Sequence, residues 1–173
     1  MRLLHTSDWH LGKRLFDKER YDVFEKFLAW LLSTIRQERV DTLIVAGDIF
    51  DTAVPTNKSL RLYYDFLSQL TSSECRHVVI VSGNHDSPTL LEAPKGILEN
   101  FGVHVIGGAE SPEDEVIELK DKAGNLEGVV CAVPFLRERD ILRLKDDSTL
   151  SRAEEIQFCL LYTSPSPRDR TRS

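Results

Sequence analysis

The feature of this chain that most limits its fold is a short apolar run followed at once by a polar segment, a pairing that occurs three times. The runs are Leu3–Thr6, Thr42–Ala46 and residues 78–81, and acids, histidines or an asparagine follow each one. Runs of this length are typical of strands buried on both faces of a parallel sheet. The sequence therefore predicts a parallel sheet with three polar loops at one edge.

Helical periodicity separates these runs. Residues 22–38 carry apolar side chains at helical spacing and predict an amphipathic helix, and a second helix is expected after Pro55. Its inner face is predicted to carry Leu60, Tyr63, Tyr64 and Leu67. A short helix that begins at residue 88 or 89 and ends near Asn100 is expected before a fourth strand at 103–106. The order β-α-β-α-β-α-β indicates parallel strands joined by right-handed crossovers.

The pattern changes after Gly107. Two apolar segments, 116–119 and 129–133, flank a Lys-Ala-Gly-Asn sequence at 122–125, which is a hairpin signal. A second, more antiparallel sheet is predicted to begin there. His5, inside the first strand, is predicted to be a packed histidine.

Composition sets the broad class. With 41% hydrophobic and 29% charged residues, the chain has the make-up of one ordinary globular domain. No apolar run approaches the roughly 20 residues that a membrane helix needs. The three cysteines lie far apart, which fits a reducing cytoplasm rather than a disulfide framework or a zinc motif. The net charge of −6 does not favour nucleic acid, but an enzyme that binds phosphate through metal ions needs no basic total.

The last segment differs from the rest of the chain. Residues 159–173 switch abruptly to serine, proline and arginine, without helical or strand periodicity. Their first eleven residues resemble the translation of a transposon-type sequencing adapter, so the segment is predicted to be a non-native, disordered tail. The alternative is a natural basic tail that touches DNA. Residues 1–158 are then the N-terminal part of a larger domain.

The three polar loops carry groups that bind metals. Asp8 and His10 are one residue apart, so an extended segment can direct both toward one point. Asp48 can share its two oxygens between two ions, and Asn84 offers a neutral amide oxygen. Loops at the carboxyl ends of parallel strands converge on one crevice. Glycines at 12, 47 and 83 are predicted to let the backbone turn sharply beside these ligands.

The chemistry that such a cluster favours is phosphate-ester hydrolysis. Two divalent ions about 3.5–4 Å apart can hold a phosphate ester and activate water for in-line attack. A carboxylate and an imidazole suit manganese, iron or zinc better than calcium. His85 is the candidate general acid for the leaving group.

Other roles are open for the same residues. Asp51 and Asp86 can orient a ligand or the loop, or be purely structural, and the structural role is slightly favoured. Taken singly, Asp8 or Asp48 could be a helix cap or loop acid, and residues 84–86 could be a polar turn. The joint pattern at three strand ends favours the metal site.

These segments resemble the calcineurin-like metallophosphoesterases, whose pattern is D-x-H, then G-D-x-x-D, then G-N-H-D. Within that superfamily, H-T-S-D-W-H-L-G at 5–12, A-G-D-I-F-D at 46–51, S-G-N-H-D at 82–86 and V-P-F-L-R-E-R-D at 133–140 resemble the bacterial SbcD family of nuclease subunits. The resemblance runs from Met1 to about Phe158.

The resemblance implies a four-layer α/β/β/α sandwich, truncated here so that the second sheet is incomplete. It implies two metal ions, with manganese expected, held by Asp8, His10, Asp48 and Asn84, and His85 as the catalytic histidine. It also implies an SbcC-like ATPase partner, a homodimer within a heterotetramer, and DNA as substrate. The expected activities are ATP-dependent double-strand exonuclease and single-strand endonuclease cleavage at DNA ends and hairpins.

The sequence departs from the family in one respect. The family adds histidines from downstream G-H and G-H-x-H motifs, and neither motif occurs in these 173 residues. The chain by itself is therefore expected to be inactive. Two other interpretations remain open: a phosphoesterase of the same superfamily acting on a small nucleotide or phosphoprotein, and a non-catalytic scaffold.

Overall fold

A computed structural model describes residues 1–108 and 114–137 of the chain. Its elements lie in one compact unit, Met1–Phe135. In chain order they are β1 (Leu3–Thr6), α1 (Tyr21–Gln37), β2 (Thr42–Ala46), α2 (Asn57–Thr71), β3 (His77–Val81), α3 (Pro88–Glu92), α4 (Lys95–Leu98), a 3₁₀ turn (Glu99–Phe101), β4 (Val103–Ile106), β5 (Val116–Lys120) and β6 (Leu126–Cys131).

The first four strands form one parallel sheet in the order β1-β2-β3-β4. The register pairs Leu3 with Thr42 and Thr42 with His77, so the strands begin almost level. Consequently, they also end almost level, and the three polar loops leave the sheet side by side. The predicted parallel architecture is confirmed.

One face of this sheet is covered by helices. Alternate strand residues and the apolar faces of α1 and α2 form a single core that includes Leu31, Ile35, Leu43, Val45, Phe66, Leu70, Ile80 and Val105. Full burial of each such side chain is worth roughly 1.5–3 kcal/mol. The sheet edge that carries the polar loops therefore rests on a firmly packed layer.

The inner face of α2 differs from the prediction at one position. Tyr63 and Leu67 are buried as expected, together with Phe66 and Leu70, whereas Tyr64 is 36% exposed. Positions 63, 66, 67 and 70 follow the i, i+3, i+4, i+7 spacing of one helical stripe, and residue 64 lies about 100° away from that stripe. The helix begins at a real cap, because the Thr56 hydroxyl accepts the Ser59 amide at 3.1 Å.

The helix predicted at residues 88–100 is broken into α3, α4 and the 3₁₀ turn. Pro94 lies between the two helices. A proline has no amide hydrogen, and its ring clashes with the carbonyl four residues earlier, so a continuous helix cannot pass through it.

The second face is covered by an antiparallel pair, β5 and β6, as predicted. This hairpin packs Leu119 and Ala132 onto Val79, Val81 and Ile106 of β3 and β4. It leaves the β1 side open, so His5 is exposed and its predicted packing is wrong. The predicted α/β class, with a small and incomplete second sheet, is confirmed.

Two further expectations concern the ends and the environment of the chain. The predicted tail at 159–173 and the boundary at residue 158 lie outside the described residues. Among the helices that are described, none combines the length and apolar character needed to cross a membrane.

Candidate metal centre

The first loop presents its polar and apolar side chains in alternation. Trp9 and Leu11 are 5% and 1% exposed and point into the helical core, while Asp8 and His10 point outward. The Trp9 ring packs edge-on against Phe66, with centroids 5.4 Å apart, and its Nε1 donates to the Thr6 hydroxyl at 3.1 Å. The two buried side chains therefore anchor the loop that carries the two candidate ligands.

Backbone hydrogen bonds join the first loop to the second. The Asp8 amide donates to the Gly47 carbonyl at 3.0 Å, and the His10 amide donates to the Asp48 carbonyl at 2.9 Å. A third bond runs from the Leu11 amide to a carbonyl of the second loop at 2.9 Å. The pairing of β1 with β2 is thus continued beyond the strands, which holds Asp8, His10 and Asp48 on adjacent segments.

Three candidate ligands have left-handed backbone conformations. The φ angles of Asp8, His10 and Asp48 are 56°, 45° and 52°. For residues other than glycine this region is sparsely populated, and each such residue costs on the order of 1–3 kcal/mol. The packing and hydrogen bonds of the two loops maintain these conformations, which direct the side chains toward one another.

The second and third loops approach each other through glycines. A Cβ atom at Gly83 would overlap the Asp48 carboxylate and backbone nitrogen, and one at Gly47 would lie 3.0 Å from the Gly83 Cα. Gly47 also has a φ of 84° and makes the predicted sharp turn. Gly83 has no positive φ, so its requirement is the close approach rather than a turn.

The side chains of Asp8, His10 and Asp48 converge. His10 Nε2 lies 3.9 Å from Asp8 Oδ1 and 3.8 Å from Asp48 Oδ2. Their potential ligand atoms all lie within 4.8 Å of one another. The Asp8 side chain is 67% exposed, whereas those of His10 and Asp48 are 18% and 14% exposed. The cluster is therefore held from below and open above.

The other nitrogen of His10 faces Asp51. Nδ1 lies 3.2 Å from Asp51 Oδ1, although it is not aligned for a hydrogen bond. Lys13 Nζ lies 3.5 Å from the same carboxylate oxygen. A carboxylate beside the second ring nitrogen is the usual partner of a metal-binding histidine. Sequence reasoning gave Asp51 only a slight structural preference, because this contact depends on the spacing of two loops.

Asn84 lies beside the same cluster. Together with Asp8, Asp48 and the segment that follows β6, it lines a cavity of about 530 Å³. Pro134 and Phe135 belong to that wall, and the Phe135 amide donates to the Ser82 carbonyl at 3.0 Å. The four residues predicted as metal ligands therefore share one end of the sheet.

His85 is exposed at the rim and is held in two ways. Its amide donates to Asp48 Oδ1 at 3.1 Å, and its Nδ1 lies 2.8 Å from the Asp51 carbonyl oxygen. Since a carbonyl only accepts, Nδ1 carries the proton in this arrangement, which leaves Nε2 to exchange a proton with a bound molecule. The His85 and His10 rings meet edge-on, with centroids 4.9 Å apart.

Asp86 is fully buried and serves the backbone. Its carboxylate accepts the Phe50 amide at 2.9 Å, the Gly83 amide at 2.8 Å and the Ile49 amide at 3.2 Å. A buried carboxylate needs such donors, and these three come from two different loops. Asp86 thus joins the second loop to the third from beneath the cluster.

The donor set suits a divalent metal. Two groups of side chains have metal-binding spacing, Asp8–His10–Asp48 and His10–Asp51–His85, and both contain His10. Carboxylate and imidazole ligands fit a first-row transition metal. The inward-facing His10 nitrogen and the two carboxylates opposite it have no other partner that would explain their convergence within the described residues.

Comparisons with known proteins agree with this geometry. The family model for the calcineurin-like phosphoesterases matches residues 1–156. The D subunit of the nuclease SbcCD from Escherichia coli K12 is 40% identical over 142 residues, which cover 82% of this chain and 34% of that protein. The protein of the same name from Rhodobacter capsulatus is 40% identical over 152 residues, 84% of this chain and 38% of the relative.

A third relative extends the comparison to another group of bacteria. The D subunit of the nuclease SbcCD from Bacillus subtilis is 38% identical over 127 residues, or 73% of this chain and 32% of that protein. The chain spans about a third of the length of these relatives. Its three loop motifs, its parallel sheet and the match over nearly its whole length show that the chain belongs to the calcineurin-like phosphoesterase family.

Proposed function

We propose that this chain is the N-terminal part of a manganese-dependent DNA nuclease. The observation that carries the proposal is the convergence of Asp8, His10 and Asp48 at the carboxyl end of the sheet, with Asn84 on the wall of the same cavity. DNA as the substrate is supported by the similarity to three proteins named as SbcCD nuclease subunits.

The metal-binding roles follow from the geometry. Asp8, His10, Asp48 and Asn84 would hold two divalent ions, and those ions would bind the phosphate ester and activate the attacking water. His10 would bind through Nε2, because that nitrogen faces both carboxylates. Asp51 would then orient the ring through Nδ1, a role closer to the ligands than the structural one favoured by sequence alone.

His85 would supply the proton for the leaving group. Its Nδ1–H is used by the Asp51 carbonyl, so the ring is oriented and Nε2 is the nitrogen that exchanges a proton. The bond from its amide to Asp48 ties this histidine to a metal ligand. A positioned general acid of this kind contributes typically about 10²–10⁴-fold to the rate.

The complete protein is proposed to act in the cytoplasm with an SbcC-like ATPase, as a homodimer within a heterotetramer. The basis is the name of the relatives, which describes each of them as one component of an SbcCD nuclease. The 173-residue chain is expected to bind manganese weakly and not to cleave DNA by itself. Its one histidine beyond His85 is His104, which lies within β4 beside His77, with ring centroids 6.4 Å apart.

The test uses the full-length gene product with manganese and an SbcC-like partner on linear and hairpin DNA. We expect DNA cleavage that Asp48→Ala abolishes. Hydrolysis of bis(4-nitrophenyl) phosphate without cleavage of DNA would favour the alternative, a phosphoesterase for a small substrate. Neither reaction, with the fold intact by circular dichroism, would favour a non-catalytic scaffold.

A further inference from the structure

The segment between the first loop and α1 has no role in the site described above. It reads Lys-Arg-Leu-Phe-Asp-Lys-Glu-Arg at residues 13–20, and every one of these residues is exposed. It carries four basic and two acidic side chains, a net charge of +2, whereas the whole chain has a net charge of −6. The segment is thus a local basic region on an acidic chain.

Its centre is a tight turn with an unusual residue at the tip. Leu15 and Lys18 exchange backbone hydrogen bonds of 3.1 and 3.0 Å, and the two residues between them, Phe16 and Asp17, have φ angles of 48° and 58°. Two consecutive positive φ angles inside such a pair define a type I′ turn, for which Asn-Gly is the preferred sequence. The Arg14 guanidinium reinforces the turn by donating to the Asp17 carbonyl at 2.6 Å.

Phe16 is an unfavourable residue for that position. A bulky side chain with positive φ is a conformational outlier, and the Phe16 side chain gains little from packing because it is 90% exposed. Its strain is therefore not repaid within the described residues. Strained, exposed residues beside a site point to a function outside the fold itself.

The turn borders the candidate metal centre. A cavity of about 230 Å³ lies between the first loop, the turn and the start of α1. Asp8 and His10 line one side of it, and Lys13, Arg14 and Arg20 line the other. A phosphate chain held at the metal centre could therefore continue directly onto basic side chains.

We propose that residues 13–20 form a strand-end subsite of the nuclease, in which Lys13 and Arg20 bind backbone phosphates and Phe16 stacks on an unpaired base. This inference rests on the proposed function, since it assumes a DNA substrate at the metal centre. Single-stranded nucleic acid is commonly held by this combination of cationic side chains and an aromatic platform. The subsite favours single-stranded ends and hairpin loops over fully paired DNA, because only an unpaired base exposes its face to Phe16.

The experiment measures binding of the 173-residue chain to DNA, in EDTA so that no cleavage intervenes. The probes are a duplex with a single-stranded overhang that ends in 2-aminopurine and the matching blunt duplex. For Phe16→Ala we expect the fluorescence quenching of 2-aminopurine to disappear and overhang affinity to fall about 5- to 100-fold, with little change for the blunt duplex. Phe16→Tyr should retain both effects of the ring.

Matched controls lie at the opposite end of the sheet. Phe101 is also exposed, at 59%, but immediately precedes the amino end of β4, so Phe101→Ala should bind like the wild type. Replacing Lys13 and Arg20 with glutamine should reduce the slope of log K against log salt by about 0.7 for each single-strand phosphate that is no longer neutralised. The same change at Arg36 and Arg39, near the amino end of β2, should leave the slope unchanged.

The outcomes separate this inference from the proposed function. Equal binding and quenching by wild type, Phe16→Ala and Phe101→Ala would overturn the subsite, even if the full-length protein cleaves DNA. Unchanged DNA binding combined with loss of an SbcC-like partner in Phe16→Ala would also overturn it and would identify the turn as a protein contact. Absence of DNA cleavage by the full-length protein, with overhang binding through Phe16 intact, would instead contradict the proposed function alone.

Discussion

Both ends of the parallel sheet carry a cluster of polar side chains, but the two clusters are built differently. At the amino end, Arg76 donates to Asp41 at 3.0 Å and to Glu127 at 2.7 Å, so opposite charges meet. At the carboxyl end, the carboxylates of Asp8 and Asp48 face one another across a histidine. The first cluster is neutralised within the fold, whereas the second collects negative charge.

Backbone conformation divides the two ends in the same way. Of the six described non-glycine residues with positive φ, five lie at the carboxyl end or in the turn beside it, and only Arg39 lies toward the amino end. Convergent like charges and strained backbone both destabilise a fold. Their joint presence indicates a site that a cation completes, while the amino-end cluster indicates a structural joint between β3 and the hairpin.

The largest effect is expected from His85, in the full-length enzyme. His85→Ala should reduce turnover about 10²–10⁴-fold, because it removes the proposed general acid. Manganese affinity, measured by calorimetry, should change little, since the bond from the residue 85 amide to Asp48 remains. Loss of manganese binding in this variant would show that His85 is a ligand.

Gly83→Ala tests the close approach of the second and third loops. The new methyl group would overlap Asp48, so one loop must move, at a cost of roughly 1–3 kcal/mol in the free energy of unfolding. Chemical denaturation of the 173-residue chain would measure this loss. Gly96→Ala is the matched control, because a Cβ at Gly96 meets nothing within 4 Å. Equal stability of the two variants would show that the loops are less tightly joined than described.

Arg76→Met tests the joint at the other end. The Arg76 side chain is 17% exposed and also donates to the Lys120 carbonyl at 2.9 Å. Its loss leaves Asp41 and Glu127 unpaired at a partly exposed position, for an expected cost of about 1–2 kcal/mol. Manganese affinity should be unchanged. A variant with weakened metal binding would contradict the separation of the two ends.

The smallest effect is expected from His104. Burial, and then the neighbouring His77, lower the pKa of His104 below its ordinary value of 6.5. The folded state therefore binds this proton less readily than the unfolded chain, so the stabilising contribution is complete above about pH 6.5 and is lost as pH falls through the folded pKa.

His104→Phe should flatten the dependence of unfolding free energy on pH below that value. Denaturation curves on either side of pH 6.5 would show it. An unchanged pH dependence would mean that His104 titrates alike in both states.

The contrast between the two ends also shows what sequence alone could predict. The apolar runs predicted β1, β2 and β3, and the rule that loops converge at the carboxyl ends of parallel strands placed Asp8, Asp48 and Asn84 together. The identity of the motif residues was enough, because the fold supplies the convergence.

Three features required coordinates. The contact between Asp51 and His10 depends on the offset of two loops, and the left-handed conformations of Asp8 and Asp48 depend on their tertiary hydrogen bonds. The turn at Phe16 lacks an Asn-Gly sequence, so no local signal predicted it. Each of these features is a tertiary property that neighbouring residues in the sequence do not encode.

The most direct test of the metal centre is anomalous diffraction from crystals of the 173-residue chain soaked in millimolar manganese, compared with the Asp48→Asn variant. Asparagine keeps an oxygen that can accept the His85 amide but removes the charge. We predict an anomalous peak between Asp8, His10 and Asp48 in the wild type, with none in the variant. A wild-type peak elsewhere, no peak at all, or an equal peak in Asp48→Asn would contradict the assignment of the metal centre to the carboxyl end of the sheet.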